Sequence, residues 1–163
     1  MSARDGSRFW PALALWPGWR RLLAYFPASV CVAGGFDFAA TAGRGGQFVF
    51  AMHPHGALSV DHALVFTDAV GFMSKVAPLP RRDLGASVIF RIPGLRELCL
   101  WLGVVDAGAA TAHKVLSQGY SMQLYPGGIQ EQLATNSTSR CPVFGSIKKL
   151  RAKFVETARD ATK

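Results

Sequence analysis

ASVIFRIPGLRELCLWLGVVDAGAATAHKVLSQGYSMQLYPGG, residues 86–128, is the stretch that decides the fold. It opens on residues 86–90 (ASVIF), a short apolar run rich in β-branched side chains that reads as a strand. Pro93 then stands where proline opens a helix, and Leu95, Leu98 and Leu102 form one stripe that Gly103 closes. Val104 and Val105 read as a short strand before Asp106. Thr111 is an N-cap for a helix through Ser117 that Gly119 ends. Residues 120–125 (YSMQLY) form a further strand, and Pro126-Gly127-Gly128 is a sharp turn at its end that leads into a loop. Strands alternating with helices predict an α/β fold, with a largely parallel sheet flanked by helices.

Outward from this core, residues 47–52 (QFVFAM) read as a buried strand, bounded by the glycine-rich turn 41–46 and by His53-Pro54. Residues 58–70 carry apolar side chains at helical spacing, weakened by Gly71 and ended by Pro78 and Pro80. Residues 9–33 are apolar, aromatic and proline-punctuated, the pattern of two short helical pieces. Beyond the core, residues 133–142 are a polar loop. Residues 145–163 are a basic amphipathic helix with Ile147, Leu150, Phe154 and Ala158 on one face. Such a stripe packs on a core or, through Lys148, Lys149, Arg151 and Lys153, meets a membrane surface. Asn136-Ser137-Thr138 matches a glycosylation sequon that stays unmodified in a cytosol-facing protein.

Half the residues are hydrophobic, 17% are charged, and the net charge is +8. Charged residues make up about a quarter of an average soluble domain, so this chain is both apolar and basic. Nucleic acid is excluded as a partner by the lack of any helix-turn-helix, RNP or zinc-finger pattern. An anionic membrane surface and an anionic substrate remain. Cys31, Cys99 and Cys141 are far apart and odd in number, which predicts reduced thiols rather than a zinc site or disulfides. The longest uncharged run, residues 22–36, is broken by Pro27, Gly34 and Gly35 and falls short of the roughly 20 apolar residues of a spanning helix. Trp10, Trp16 and Trp19 beside Arg20 and Arg21 suit the membrane interface, with a helix packed by its aromatic face as the plainer alternative.

Two constellations carry chemistry. His53-Pro54-His55-Gly56 ends the first strand, and open α/β sheets hold their sites at the carboxyl ends of strands. Histidine titrates near neutrality and can take a proton from an alcohol and return it. A pair of core histidines bonded to backbone is the bland alternative. Residues 125–131 (YPGGIQE) end the last strand. There the backbone N–H groups of Gly127 and Gly128 suit a phosphate or a developing oxyanion, and Glu131 suits orienting a histidine or capping a helix. Read alone, that segment is also an ordinary tight turn.

Together the two motifs resemble the type-2 diacylglycerol acyltransferase family, which includes monoacylglycerol and wax-alcohol acyltransferases. Family members carry His-Pro-His-Gly after a hydrophobic strand and later a glycine pair followed by Glu. Residues 90–97 (FRIPGLRE), which begin Phe90-Arg91, look like the family's Phe-Arg-x-Pro…Arg-Glu segment, and Tyr25-Phe26-Pro27 is similar to an upstream Tyr-Phe-Pro element. The resemblance covers roughly residues 20–133, in order. It departs from the family in lacking the preceding hydrophobic hairpin and most of the later sheet portion, so the chain resembles a member shortened at both ends. Residues 151–154 (RAKF) read as a degraded copy of the family's Arg-Lys-Gly-Phe block.

The resemblance implies a glycerolipid-acyltransferase-like domain over residues 47–163, preceded by a membrane-proximal segment over residues 1–46. It implies acyl-CoA as co-substrate with no further cofactor or metal, an acylglycerol or fatty alcohol as acceptor, and the cytosolic face of the endoplasmic reticulum membrane or lipid droplets as the location. His55 is then the general base, with His53 positioning it and Glu131 assisting. Gly56, Arg91, Pro126, Gly127 and Gly128 bind substrate. Asp61 as an orienting partner of His55 competes with a surface carboxylate, because the wider superfamily spaces its Asp five residues after the His and Asp61 lies six after His55. A metal-dependent hydrolase built on His-x-His and a non-catalytic paralogue on a membrane or lipid-droplet surface are the rival readings.

Overall fold

Side chains alternate across a strand, so residues 121–124 (SMQL) send Met122 and Leu124 to one face of a sheet and Ser121 and Gln123 to the other. All four are buried in the computed structural model, which describes residues 6–32, 37, 38, 40, 46–53, 60–75 and 80–134. A strand buried on both faces belongs inside a layered parallel sheet. Among the described residues the sheet has β1 (Val49–Ala51), β2 (Arg81–Gly85), β3 (Val104–Asp106) and β4 (Ser121–Leu124). All pairings are parallel and the order is β1-β4-β2-β3. The α/β architecture expected from the alternation is the one observed.

Helices cover both faces. On one, Ala112, Val115 and Leu116 of α6 (Ala109–Ser117) pack on Leu84, Val105, Met122 and Leu124. On the other, Leu100 of α5 (Leu95–Trp101) and Phe66 of α3 (Val60–Phe66) join Val104, Phe90 and Leu102. The same cluster takes in Ala14 of α1 (Pro11–Ala14) and Trp19 of α2 (Gly18–Leu22), whose indole Nε1 donates to the Leu13 carbonyl at 2.6 Å. Beside β1 a smaller cluster joins Val65 and Phe72, the latter in α4 (Phe72–Lys75), to Phe38, Phe50 and Met52. A further helix, α7 (Gly128–Ala134), follows β4.

Apart from the helix read as capped by Thr111, which starts at Ala109 with Gly108 as its N-cap, the expected and observed elements differ in three places. Residues 86–90, read as a strand, are the start of a 3-10 helix over Ser87–Arg91, with Ile89 N–H bonded to the Ala86 carbonyl at 3.1 Å. The strand lies just before it, at Arg81–Gly85, where charge disguised it. Arg81 pairs with Asp83 at 3.2 Å, and the Arg82 guanidinium lies over the Tyr120 ring at 4.3 Å and the Phe9 ring at 5.1 Å. Paired and stacked in this way, charged side chains are buried in a central strand without being stranded there. The segment after Gly127 is helical rather than a loop. Finally, among the described strands β1 lies at an edge and its Val49 is 41% exposed, not the buried strand its apolar sequence implies.

Candidate functional site at the carboxyl edge of the sheet

The position of the site follows from the register of β1 on β4. Val49 lies opposite Met122, Phe50 opposite Gln123 and Ala51 opposite Leu124, and the Met52 N–H donates to the Leu124 carbonyl at 2.9 Å. At the other end the Gln47 side-chain amide donates to the carbonyls of Leu116 and Tyr120 at 2.8 and 3.1 Å, so a slip of β1 by one residue would break both ends. His53 and Pro126 therefore leave the sheet from the same edge, each two residues beyond its strand. This is the edge where parallel sheets hold their sites.

His53 is exposed at the start of this edge. Pro54, His55 and Gly56 lie outside the described residues. Pro126 and Gly127 are buried, and Gly128 opens α7 at φ +48°, a left-handed conformation with open space where a Cβ would be. The Gly128 N–H closes the turn on the Tyr125 carbonyl at 3.1 Å. Glu131 falls on α7, one turn into the helix. Arg91 is exposed at the end of the 3-10 helix that follows β2, on the carboxyl side of the sheet. The upstream Phe26 and Pro27 do not reach this edge. With Leu23, Leu64 and Val70 they line an open cavity of about 360 Å³ beside α3.

Beneath the edge lies a polar group that motif reading did not assign. Gln123 and Asp83 are neighbours across the β4–β2 ladder, 1% and 3% exposed, on the face that also carries Phe50 and Val104. Burial pushes the Asp83 carboxyl up to about 6, against the opposing pull of Arg81 and Arg82. Arg81 also donates from Nη2 to the Val65 carbonyl at 3.2 Å, which ties the strand to α3. Tyr125 continues the same face one step further. Its ring centroid is 3.7 Å from that of His62 in the first turn of α3, and His62 in turn lies 5.1 Å from Phe66. Burial pushes the Tyr125 phenol well above its ordinary value, helped by the nearby carboxylates of Asp61 and Asp83. Asp61 stands in the same first turn of α3, half-buried. The signal was present in the alternation of Ser121, Gln123 and Tyr125, three polar residues on one face of a strand otherwise apolar.

Among the described residues no group of three or more His, Cys, Asp or Glu side chains is placed to share a metal ion. Among them, too, no helix is long and apolar enough to cross a membrane. Cys31 and Cys99 are free thiols, and burial raises the Cys99 thiol.

The comparisons with known proteins fall in line with this geometry. A family model described as diacylglycerol acyltransferase matches residues 2–158. Diacylglycerol O-acyltransferase 2 of Dictyostelium discoideum is 29% identical over 118 residues, which are 71% of this chain and 34% of that protein. Diacylglycerol O-acyltransferases 2B and 2A of Umbelopsis ramanniana are each 26% identical, over 72% and 91% of this chain and 33% and 40% of their own lengths. The chain spans between a third and two fifths of the length of these curated relatives. No solved structure matches it at comparable significance. Motifs in order, a parallel sheet that sets two of them on one edge, and a match over nearly the whole length together show that this chain belongs to the type-2 diacylglycerol acyltransferase family.

Proposed function

We propose that this chain carries the transfer centre of an acyl-CoA-dependent O-acyltransferase that forms triacylglycerol from diacylglycerol, with His55 as general base. His55 takes the proton of the acceptor hydroxyl as its oxygen attacks the thioester carbonyl of acyl-CoA. The tetrahedral intermediate then collapses, the C–S bond breaks, and the imidazolium returns the proton to the departing thiolate. Backbone N–H groups of Gly56 and Gly127 stabilise the developing oxyanion in this mechanism, a contribution of about 3 kcal/mol per donor, whereas the Gly128 N–H expected to join them is bonded to the Tyr125 carbonyl. His53 holds the imidazole of His55, Glu131 and Arg91 take part in binding acyl-CoA, and no further cofactor or metal enters.

The observation that carries this reading is the register of β1 on β4, which brings the strand ends before His-Pro-His-Gly and Pro-Gly-Gly together. The half-exposed Trp10, Leu15 and Trp16 and the exposed Leu22 fit a second element of the proposal, docking on the cytosolic face of the endoplasmic reticulum membrane or on lipid droplets. The test is turnover of labelled acyl-CoA by membranes containing the chain, with diacylglycerol, monoacylglycerol and fatty alcohol offered in turn. Ester formed from diacylglycerol supports the proposal. Ester from a different acceptor alone corrects the substrate, and no ester from any acceptor overturns the catalytic reading in favour of a membrane-surface protein.

A further inference from the structure

We infer that the open cavity beside α3 is a binding site for one acyl chain of an anionic phospholipid, whose headgroup phosphate rests on Arg20. The inference takes its occupant from the membrane docking proposed above and names the lipid held there. The cavity measures about 360 Å³, within the range of about 300–1,000 Å³ typical of small-molecule sites. At the small end of that range it suits a single hydrocarbon chain, with the rest of the lipid left outside. Leu23 and Phe26 line it from the turns after α2, and Leu64 and Val70 line it from α3 and the turn beyond. Among the described residues that line it, Arg20 and Ser29 alone carry polar side chains, and none is acidic. Arg20 is exposed, and its guanidinium forms no ion pair or hydrogen bond among the described residues. An apolar chamber with one unneutralised cation matches an amphiphile with an anionic head.

The chamber is built rather than left over from loose packing. Its outer segment is held by its own backbone: Leu23 N–H donates to the Trp19 carbonyl at 2.9 Å, Phe26 N–H to Leu23 at 3.0 Å, and Ala28 N–H to Phe26 at 2.8 Å. The last of these closes a three-residue turn around Pro27, whose ring presets the backbone angle such a turn needs. A wall formed in advance spares a ligand the entropy of ordering it. The residues that alternate with this wall face outward, with Leu22 63% and Tyr25 86% exposed, and the Tyr25 ring meets that of Phe26 edge to face at 5.3 Å. The opening thus lies among apolar and aromatic side chains next to Arg20 and Arg21, the composition that suits the headgroup region of a bilayer. That setting favours a phospholipid already in the bilayer over a free fatty acid. None of the residues assigned to acyl transfer lines the cavity, so its occupant is a lipid additional to acyl-CoA and the acceptor.

The test uses the full chain and a phosphatidylserine that carries a photoactivatable diazirine on one acyl chain. The lipid is offered in phosphatidylcholine vesicles and, separately, as a short-chain monomer with no vesicle present. In both forms mass spectrometry should find the label on Leu64 or Val70, and Leu64 is too deeply buried to meet a chain lying on the outer surface. Arg20→Gln should lower that labelling by about fivefold, the usual weight of one arginine on an anionic lipid. Ala24→Phe, which puts a ring into the cavity, should abolish it while sedimentation with the vesicles stays at the wild-type level. Both positions are exposed, so neither change disturbs the core. Protein that sediments but is labelled only at Trp16, Leu22 and Tyr25 would overturn the site and leave docking intact. Protein that does not sediment, yet is labelled at Leu64 by the monomeric lipid, would keep the site and sink docking. Cavity labelling by a diazirine fatty acid and not by the phospholipid, or labelling indifferent to both substitutions, would also overturn the inference.

Discussion

Asp83 and Gln123 stand side by side on adjacent central strands, both almost fully buried, with Phe50 and Val104 completing the row on either side. A polar pair between two apolar neighbours in the middle of a sheet has consequences for stability as well as for the site above it.

The first concerns pH. The folded Asp83 carboxyl is raised from 3.8 to about 6, so the folded protein holds this proton more tightly than the unfolded chain does. Its stabilising contribution is complete below about pH 4 and is lost as pH rises through 6. Between pH 4 and pH 7 the group should remove about 2 kcal/mol from the stability of the wild-type protein. Asp83→Asn should flatten that part of the profile. Urea unfolding at the two pH values checks it, and a variant whose pH slope equals that of the wild type would count against the burial argument.

The proposed chemistry predicts a graded series at the histidine motif. His55→Ala should lower turnover by about 10²–10⁴-fold, the usual contribution of a general base. His53→Ala should be milder, and Glu131→Gln should raise the KM for acyl-CoA more than it lowers kcat. Wild-type turnover in His55→Ala would disprove the mechanism while leaving the family untouched.

Gly85 leaves β2 facing Val104, and a Cβ there would sit 2.7 Å from the Val104 Cγ1 and the Ile89 Cδ1. Val104 is β-branched and 1% exposed, so it has no room to turn away. Gly85→Ala should destabilise by about 1–3 kcal/mol through overpacking. Gly119→Ala meets only open space, at φ +82°, and should cost about 1 kcal/mol of backbone strain. A thermal melt that ranks Gly119→Ala as the worse of the two would refute the packing claim.

Tryptophans close in sequence should behave in opposite ways. Trp16 is half-exposed, whereas Trp19 packs on the core and bonds the Leu13 carbonyl. Trp16→Ala should weaken sedimentation with anionic vesicles by about tenfold, as expected for losing a large apolar side chain from an interface. Its melting temperature should hardly move. Trp19→Ala should lower the melting temperature instead. Added salt should weaken vesicle binding without abolishing it, because aromatic burial is not screened as charge is.

How far the sequence was legible depended on where charge lay. Residues 104–105 and 121–124 announce themselves as buried strands, because Val104 and Val105 meet helices on opposite faces and Met122 and Leu124 pack under α6. Arg81–Gly85 hid in plain view: two arginines and an aspartate read as surface, and only pairing across space makes them interior. The apolar run after it was mistaken for the strand, although Val88 points outward and Phe90 inward from a 3-10 turn. At the site, motif order alone picked out two segments that the register then sets on one edge. Tyr125 and His62 were invisible to the same reasoning, since their meeting depends on how α3 lies across the sheet.

The order of the strands bears on how the molecule comes into being. Among the described strands, β1 touches only β4, which is the last of the four along the chain and inserts between β1 and β2. A nascent chain that has emerged only as far as β3 has the histidine segment but nowhere to dock it. Val49–Ala51 must wait more than seventy residues for its partner, a long loop to close and a slow pairing to find. Assembly of the two motifs then has to await synthesis of all four described strands, and a ribosome stalled before Ser121 would display a chain without this edge.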